Sequence, residues 1–162
     1  MAPSTEAKCA VRVLGMGNEI LADDAFGILV AREVQRRFGA EVDVVCSSAS
    51  GFHLLDEVLG ASRLLVVDTV VTGKAQPGTL QVFAEKDIRL VPGETPHGLG
   101  LFEVLGVARK LGLPAPEDVS IIGVEASDCF TVGGDMHPDV LAAVPRAVEL
   151  IGHLLANGCD GP

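Results

Sequence analysis

The run Leu64-Leu65-Val66-Val67, closed by Asp68, constrains the fold of this chain more than any other feature. Successive side chains on a strand point to opposite faces, so four aliphatic residues in a row require both faces to be covered. Such a strand belongs in the middle of a sheet with helices above and below it. The rest of the chain fits, because short apolar runs alternate with segments of helical spacing. Strands are expected at Ala10–Leu14, Val42–Cys46, Leu64–Val67, Thr79–Phe83 and Val119–Val124. A helix is expected at Asp24–Phe38, where Ala25, Ile28, Leu29, Ala31 and Val34 form an apolar stripe. Further helices are expected at Gly51–Leu59, Leu99–Leu111 and Pro138–Leu155, and residues 86–97, with Pro92, Gly93 and Pro96, read as an irregular loop. The expected fold is therefore α/β and three-layered: a mostly parallel, twisted sheet of about five strands with helices on both faces.

A length of 162 residues fits one domain over 1–162, with residues 1–9 and 157–162 expected to fray. A hydrophobic content of 48% fills a core of that size without disulfide or metal staples. No run of signal-peptide type appears, and none reaches the roughly 20 apolar residues of a membrane span, so a soluble cytoplasmic monomer is expected. The net charge of −10 repels phosphate backbones and anionic lipid, which argues against nucleic-acid or membrane partners. Cys9, Cys46, Cys129 and Cys159 form no C-x-x-C pair, so reduced thiols are expected rather than a zinc ribbon or a redox motif.

In open α/β sheets, ligands bind beyond the carboxyl ends of the strands. Asp68 falls there, and a carboxylate after four buried aliphatics is costly unless something pairs with it. Asp23-Asp24 falls there too, reached from the first strand through Gly15-Met16-Gly17-Asn18. One acid suffices to cap the following helix; that role is assigned to Asp23, which leaves Asp24 to face the sheet edge. His97 stands between a loop and a helix, beside Pro96 and Gly98, and on its own reads as a helix-start histidine. His53, His137 and His153 read as structural or surface residues. Taken together, Asp24, Asp68 and His97 form an oxygen and nitrogen donor set suited to a borderline divalent ion such as nickel or zinc.

Other chemistries lack their motifs. There is no G-x-S-x-G elbow, no cysteine stands in a motif with histidine, and Ile20 replaces the third glycine of G-x-G-x-x-G. Asp68-Thr69-Val70 resembles the start of an aspartic-protease triplet but lacks its glycine.

Gly15-Met16-Gly17-Asn18 followed by Asp23-Asp24-Ala25-Phe26-Gly27 resembles the amino-terminal signature of the nickel–iron hydrogenase maturation endopeptidases. The resemblance continues through Val66-Val67-Asp68-Thr69-Val70, Pro77-Gly78-Thr79, His97-Gly98-Leu99 and Gly123-Val124-Glu125, from about residue 11 to residue 152. It implies an enzyme that removes the carboxy-terminal extension of a hydrogenase large-subunit precursor once nickel is inserted. It also implies that Asp24, Asp68 and His97 contact that nickel, which the precursor supplies, and serve as the catalytic set. Asp24 stands where some members carry Glu, a side chain one methylene longer. Two other readings remain: a non-enzymatic nickel-binding maturation chaperone using the same three residues, and another hydrolase with a G-x-G-N loop. Of the latter kind, peptidyl-tRNA hydrolase carries a proline and glycine after the loop that this chain lacks, and acidity fits tRNA badly.

Overall fold

A computed structural model of the protein describes residues 10–90 and 98–158. Strands β1 (Val11–Met16), β2 (Asp43–Ser47), β3 (Arg63–Val70), β4 (Leu80–Ala84) and β5 (Asp118–Glu125) form one sheet in the order β2-β1-β3-β5-β4. Every pairing is parallel except β4 with β5, at the sheet edge. The apolar run sits in the central strand as expected, and β3 is buried from Leu64 through Val70. The helices are α1 (Phe26–Phe38), α2 (Leu55–Val58), α3 (Gly98–Lys110) and α4 (Pro138–Ala156). Among the described residues, no helix is long and apolar enough to cross a membrane.

The alternation along β3 divides the core into two. Leu65 and Val67 join Val13 and Ile122 against Phe26, Val30 and Val34 of α1 and Val140, Ala147 and Ile151 of α4. Leu64 and Val66 join Leu14 and Ile121 on the opposite face, against Leu54, Val58 of α2 and Leu101 and Leu105 of α3. Each fully buried aliphatic side chain contributes roughly 1.5–3 kcal/mol before the entropy of ordering it is counted. Close backbone approach seats α1 on the sheet: a Cβ on Gly27 would overlap the carbonyl oxygen of Met16 and come within 2.5 Å of that of Val67. Gly27 thus plays the helix–strand packing part that a third glycine plays in a dinucleotide loop.

Several boundaries differ from expectation. Asp68 does not end its strand: Thr69 and Val70 continue the ladder, opposite Val124 and Glu125 of an equally long β5. The helix expected from Asp24 begins as a 3-10 turn at Ala22–Ala25, and Gly51–Leu59 divides into a 3-10 turn at Gly51–Leu54 and the single turn of α2. The segment 86–97 is not irregular throughout, because Glu85–Leu90 forms a 3-10 helix. Pro92, Gly93 and Pro96, on which the loop reading rests, fall in 91–97, outside the described residues, as do 1–9 and 159–162. Asn157, expected to fray, donates its N–H to the His153 carbonyl (3.0 Å) and closes α4.

From β1, α1 leads to β2 across one face; from β2, α2 returns to β3 across the other. The carboxyl ends of β1 and β3 therefore flank the point where the winding reverses, the place where α/β sheets bind ligands.

Candidate active site

The loop leaving β1 is folded back on Asp24. Asn18 N–H donates to the Asp24 carbonyl (3.3 Å), and Asp24 N–H donates to the Leu21 carbonyl (2.8 Å). Gly17 is required here, since a Cβ would collide with the Asp24 carbonyl oxygen. Ala22 adopts φ 28°, an uncommon backbone angle for a residue with a Cβ, in the turn that presents Asp24. The G-x-G-N spacing thereby delivers a carboxylate to the end of the sheet.

Asp24 and Asp68 are each 2% exposed, and Thr69 is fully buried. Thr69 N–H donates to Asp68 Oδ1 (2.8 Å), and its hydroxyl lies 3.4 Å from Asp24 Oδ1. Two of the three expected site residues therefore meet through one threonine. By the strand's alternation, Asp68 shares the face of Leu64 and Val66, on which α3 packs. His97 lies outside the described residues; α3 begins at the next residue, and Gly100 in its first turn is packed against the backbone of Gly51. Among the described residues, no three His, Cys, Asp or Glu side chains form a group able to hold a metal ion.

Asp23 does not cap its own helix. It lies inside the 3-10 turn, where Asp24 N–H is already taken by Leu21 and Asp23 N–H by the Asp128 carbonyl (2.8 Å). Its carboxylate, 1% exposed, instead accepts three amides from a distant loop: Ser127 (2.8 Å) and Asp128 (2.9 Å) on Oδ2, and His137 (2.6 Å) on Oδ1. His137 is the residue that caps α4, its Nδ1 accepting from Asp139 N–H (3.2 Å), so its structural reading holds. His53 and His153 are exposed. Asp23 thus joins the end of β5, the start of α4 and the Asp24 turn.

The loop held by Asp23 carries Cys129 into the site, where its thiol lies 3.5 Å from the Thr69 hydroxyl. Burial, and then the charges of Asp24, Asp23 and Asp68, push this thiol up to about 11, against the lowering effect of Thr69. The group is a neutral donor at ordinary pH. The same loop exposes Phe130 and Val132 beside Ile20, joined by a bridge between Leu21 and Val132 and by Gly133 N–H to the Ile20 carbonyl (2.7 Å). At the end of β5, buried Glu125 accepts from Thr72 N–H (2.9 Å), Thr72 Oγ1 (2.8 Å) and Gly73 N–H (2.9 Å), which fixes the loop after β3. Thr69, Cys129 and Glu125 were not singled out from sequence, although Thr69 and Glu125 lie within the motif segments.

Known proteins resemble the chain along most of its length. A family model for hydrogenase maturation protease matches residues 28–153. The hydrogenase expression/formation protein HoxM of Cupriavidus necator is 33% identical over 144 residues, 86% of this chain and 70% of the relative. The hydrogenase 2 maturation protease of Escherichia coli is 28% identical over 145 residues, 87% of each chain. Among solved structures, the hydrogenase maturating endopeptidase HybD from Escherichia coli superposes with TM-score 0.78 at 24% identity, covering 91% of this chain and 93% of that one. The [NiFe] hydrogenase maturation protease HybD from Thermococcus kodakarensis gives 0.74 at 24% identity, covering 90% and 98%. The solved structures share the five-stranded α/β fold, and the family match decides between hydrolases with a G-x-G-N loop. With that match spanning most of its length, the chain belongs to the hydrogenase maturation proteases and is a peptide-bond hydrolase.

Proposed function

We propose that this protease removes the carboxy-terminal extension of a nickel–iron hydrogenase large-subunit precursor. Asp24, Asp68 and His97 recognise the nickel that the precursor already carries. The supporting observation is the pair of buried carboxylates at the switch point of the sheet, both bonded to Thr69. Oxygen donors suit a borderline divalent ion, and a partial donor set leaves positions for ligands belonging to the precursor. His97 immediately precedes α3, the helix on the face that Asp68 shares, and supplies the nitrogen donor in this reading. Asp23 is committed to three backbone amides, so Asp24 and Asp68 are the acids that carry the function. Exposed Ile20, Phe130 and Val132 give a precursor chain apolar surface beside these acids.

Hydrolysis adds one water across the peptide bond, leaving a carboxylate on the mature subunit and an amine on the released peptide. A carboxylate of the pair can take the proton of that water. The test is processing of nickel-loaded precursor by Asp68→Asn and His97→Ala. Both variants are expected to fold and to lose cleavage. Wild-type processing by both would exclude the role.

A further inference from the structure

We infer that Thr69 is a positioning residue for the hydrolysis, its amide and hydroxyl setting Asp68 and Asp24 in one fixed relation. The inference rests on the proposed role of those two acids and adds a residue that touches neither metal nor peptide. Thr69 donates twice, through its amide to Asp68 Oδ1 (2.8 Å) and through its hydroxyl to Asp24 Oδ1 (3.4 Å). The direction of the second bond follows from the inventory of donors. A hydroxyl has one proton, Asp24 Oδ1 is placed to accept it, and the Cys129 thiol 3.5 Å away has a proton of its own to give. The thiol therefore donates to the hydroxyl oxygen, and the hydroxyl proton goes to Asp24.

The threonine itself has little freedom. Its backbone is held in the β3–β5 ladder opposite Val124, it is fully buried, and a β-branched side chain on a strand has few χ1 choices. Thr69 thus ties the acid that follows β1 to the acid inside β3. Those groups lie on different elements, and Thr69 bridges them.

Two substitutions separate positioning from space-filling. Thr69→Val keeps the shape and the amide bond to Asp68 but removes the hydroxyl. Thr69→Ser keeps the hydroxyl and removes a methyl group. If Thr69 positions the acids, Val lowers kcat roughly threefold, the scale of a hydrogen bond longer than the usual 2.5–3.0 Å, with KM changed less than about twofold. Ser then stays near the wild-type rate. If Thr69 only fills space, the order reverses, since Val fills the site and Ser leaves a void.

The assay is cleavage of nickel-loaded large-subunit precursor, with thermal melts of each variant and Asp68→Asn run alongside. Should Val fail to fold, Thr69→Ala is read against Thr69→Ser: slow Ala with near-wild-type Ser is expected, and slow turnover in both overturns the positioning role. Wild-type kcat in Thr69→Val, or a Ser variant slower than Val, with Asp68→Asn inactive, overturns the positioning role alone. Full activity of Asp68→Asn instead overturns the site on which it rests.

Discussion

Replacing Asp23 by Asn tests whether one buried carboxylate holds the site together. Its two oxygens serve three amides, with Ser127 and Asp128 on Oδ2 and His137 on Oδ1. An Asn side chain has a single oxygen, so its nitrogen must face at least one of these donors. The cheaper orientation keeps the oxygen towards Ser127 and Asp128 and turns the nitrogen towards His137. Losing a hydrogen bond to an ionised group costs about 1.5–3 kcal/mol, and leaving a buried donor unsatisfied adds about 1–3 kcal/mol. A total near 4 kcal/mol is expected, a large part of the roughly 5–15 kcal/mol that holds a typical domain folded. The chain has no Trp or Tyr, so urea unfolding is best followed by far-UV circular dichroism. Hydrogen exchange should show the His137 amide losing protection first, because it loses its acceptor in that orientation. Asp23→Ala, which strands all three amides, should be worse than Asn. A loss below about 0.5 kcal/mol for Asp23→Asn, the scale of an ordinary surface change, would refute the reasoning.

The Cys129 thiol stands near 11 in the folded chain against an ordinary value of 9.0. Its contribution to stability is therefore complete below about pH 9 and is lost as pH rises towards 11, a span worth about 3 kcal/mol. Denaturant titrations of wild type and Cys129→Ala should converge over that window, and iodoacetamide should label exposed Cys46 well before Cys129. Gly27→Ala should destabilise by about 3 kcal/mol, because the added Cβ meets backbone oxygens of β1 and β3 that cannot move independently. A gain in urea resistance, as better helix propensity alone would give, would show that α1 does not need this close approach.

The sheet was legible because Leu64–Val67 leaves no exposed face, and because glycine and proline punctuated the other elements. The strand ends were less legible. Thr69 and Val70 are as buried as the residues before Asp68, but a charge in a strand reads as its end when the partner β5 is not yet known. Asp24 and Asp68 were legible as a candidate pair, and the hydrogen bonds that join them were not. Asp23 and Asp24 are chemically identical and adjacent, and what separates them is a loop more than a hundred residues later that presents three amides to one of them. Cys129 was passed over for want of a histidine motif, whereas its place is set by the same distant loop. Such assignments depend on contacts remote in sequence, which neither periodicity nor local motif encodes.

Nickel dependence is read from the mass of a purified large-subunit precursor after incubation with the enzyme, in nickel-loaded and nickel-free forms. The result predicted is loss of the carboxy-terminal extension from the loaded form alone, with no change in either form when Asp68→Asn replaces the wild type. Equal shortening of both forms by the wild-type enzyme would contradict recognition of nickel through Asp24, Asp68 and His97.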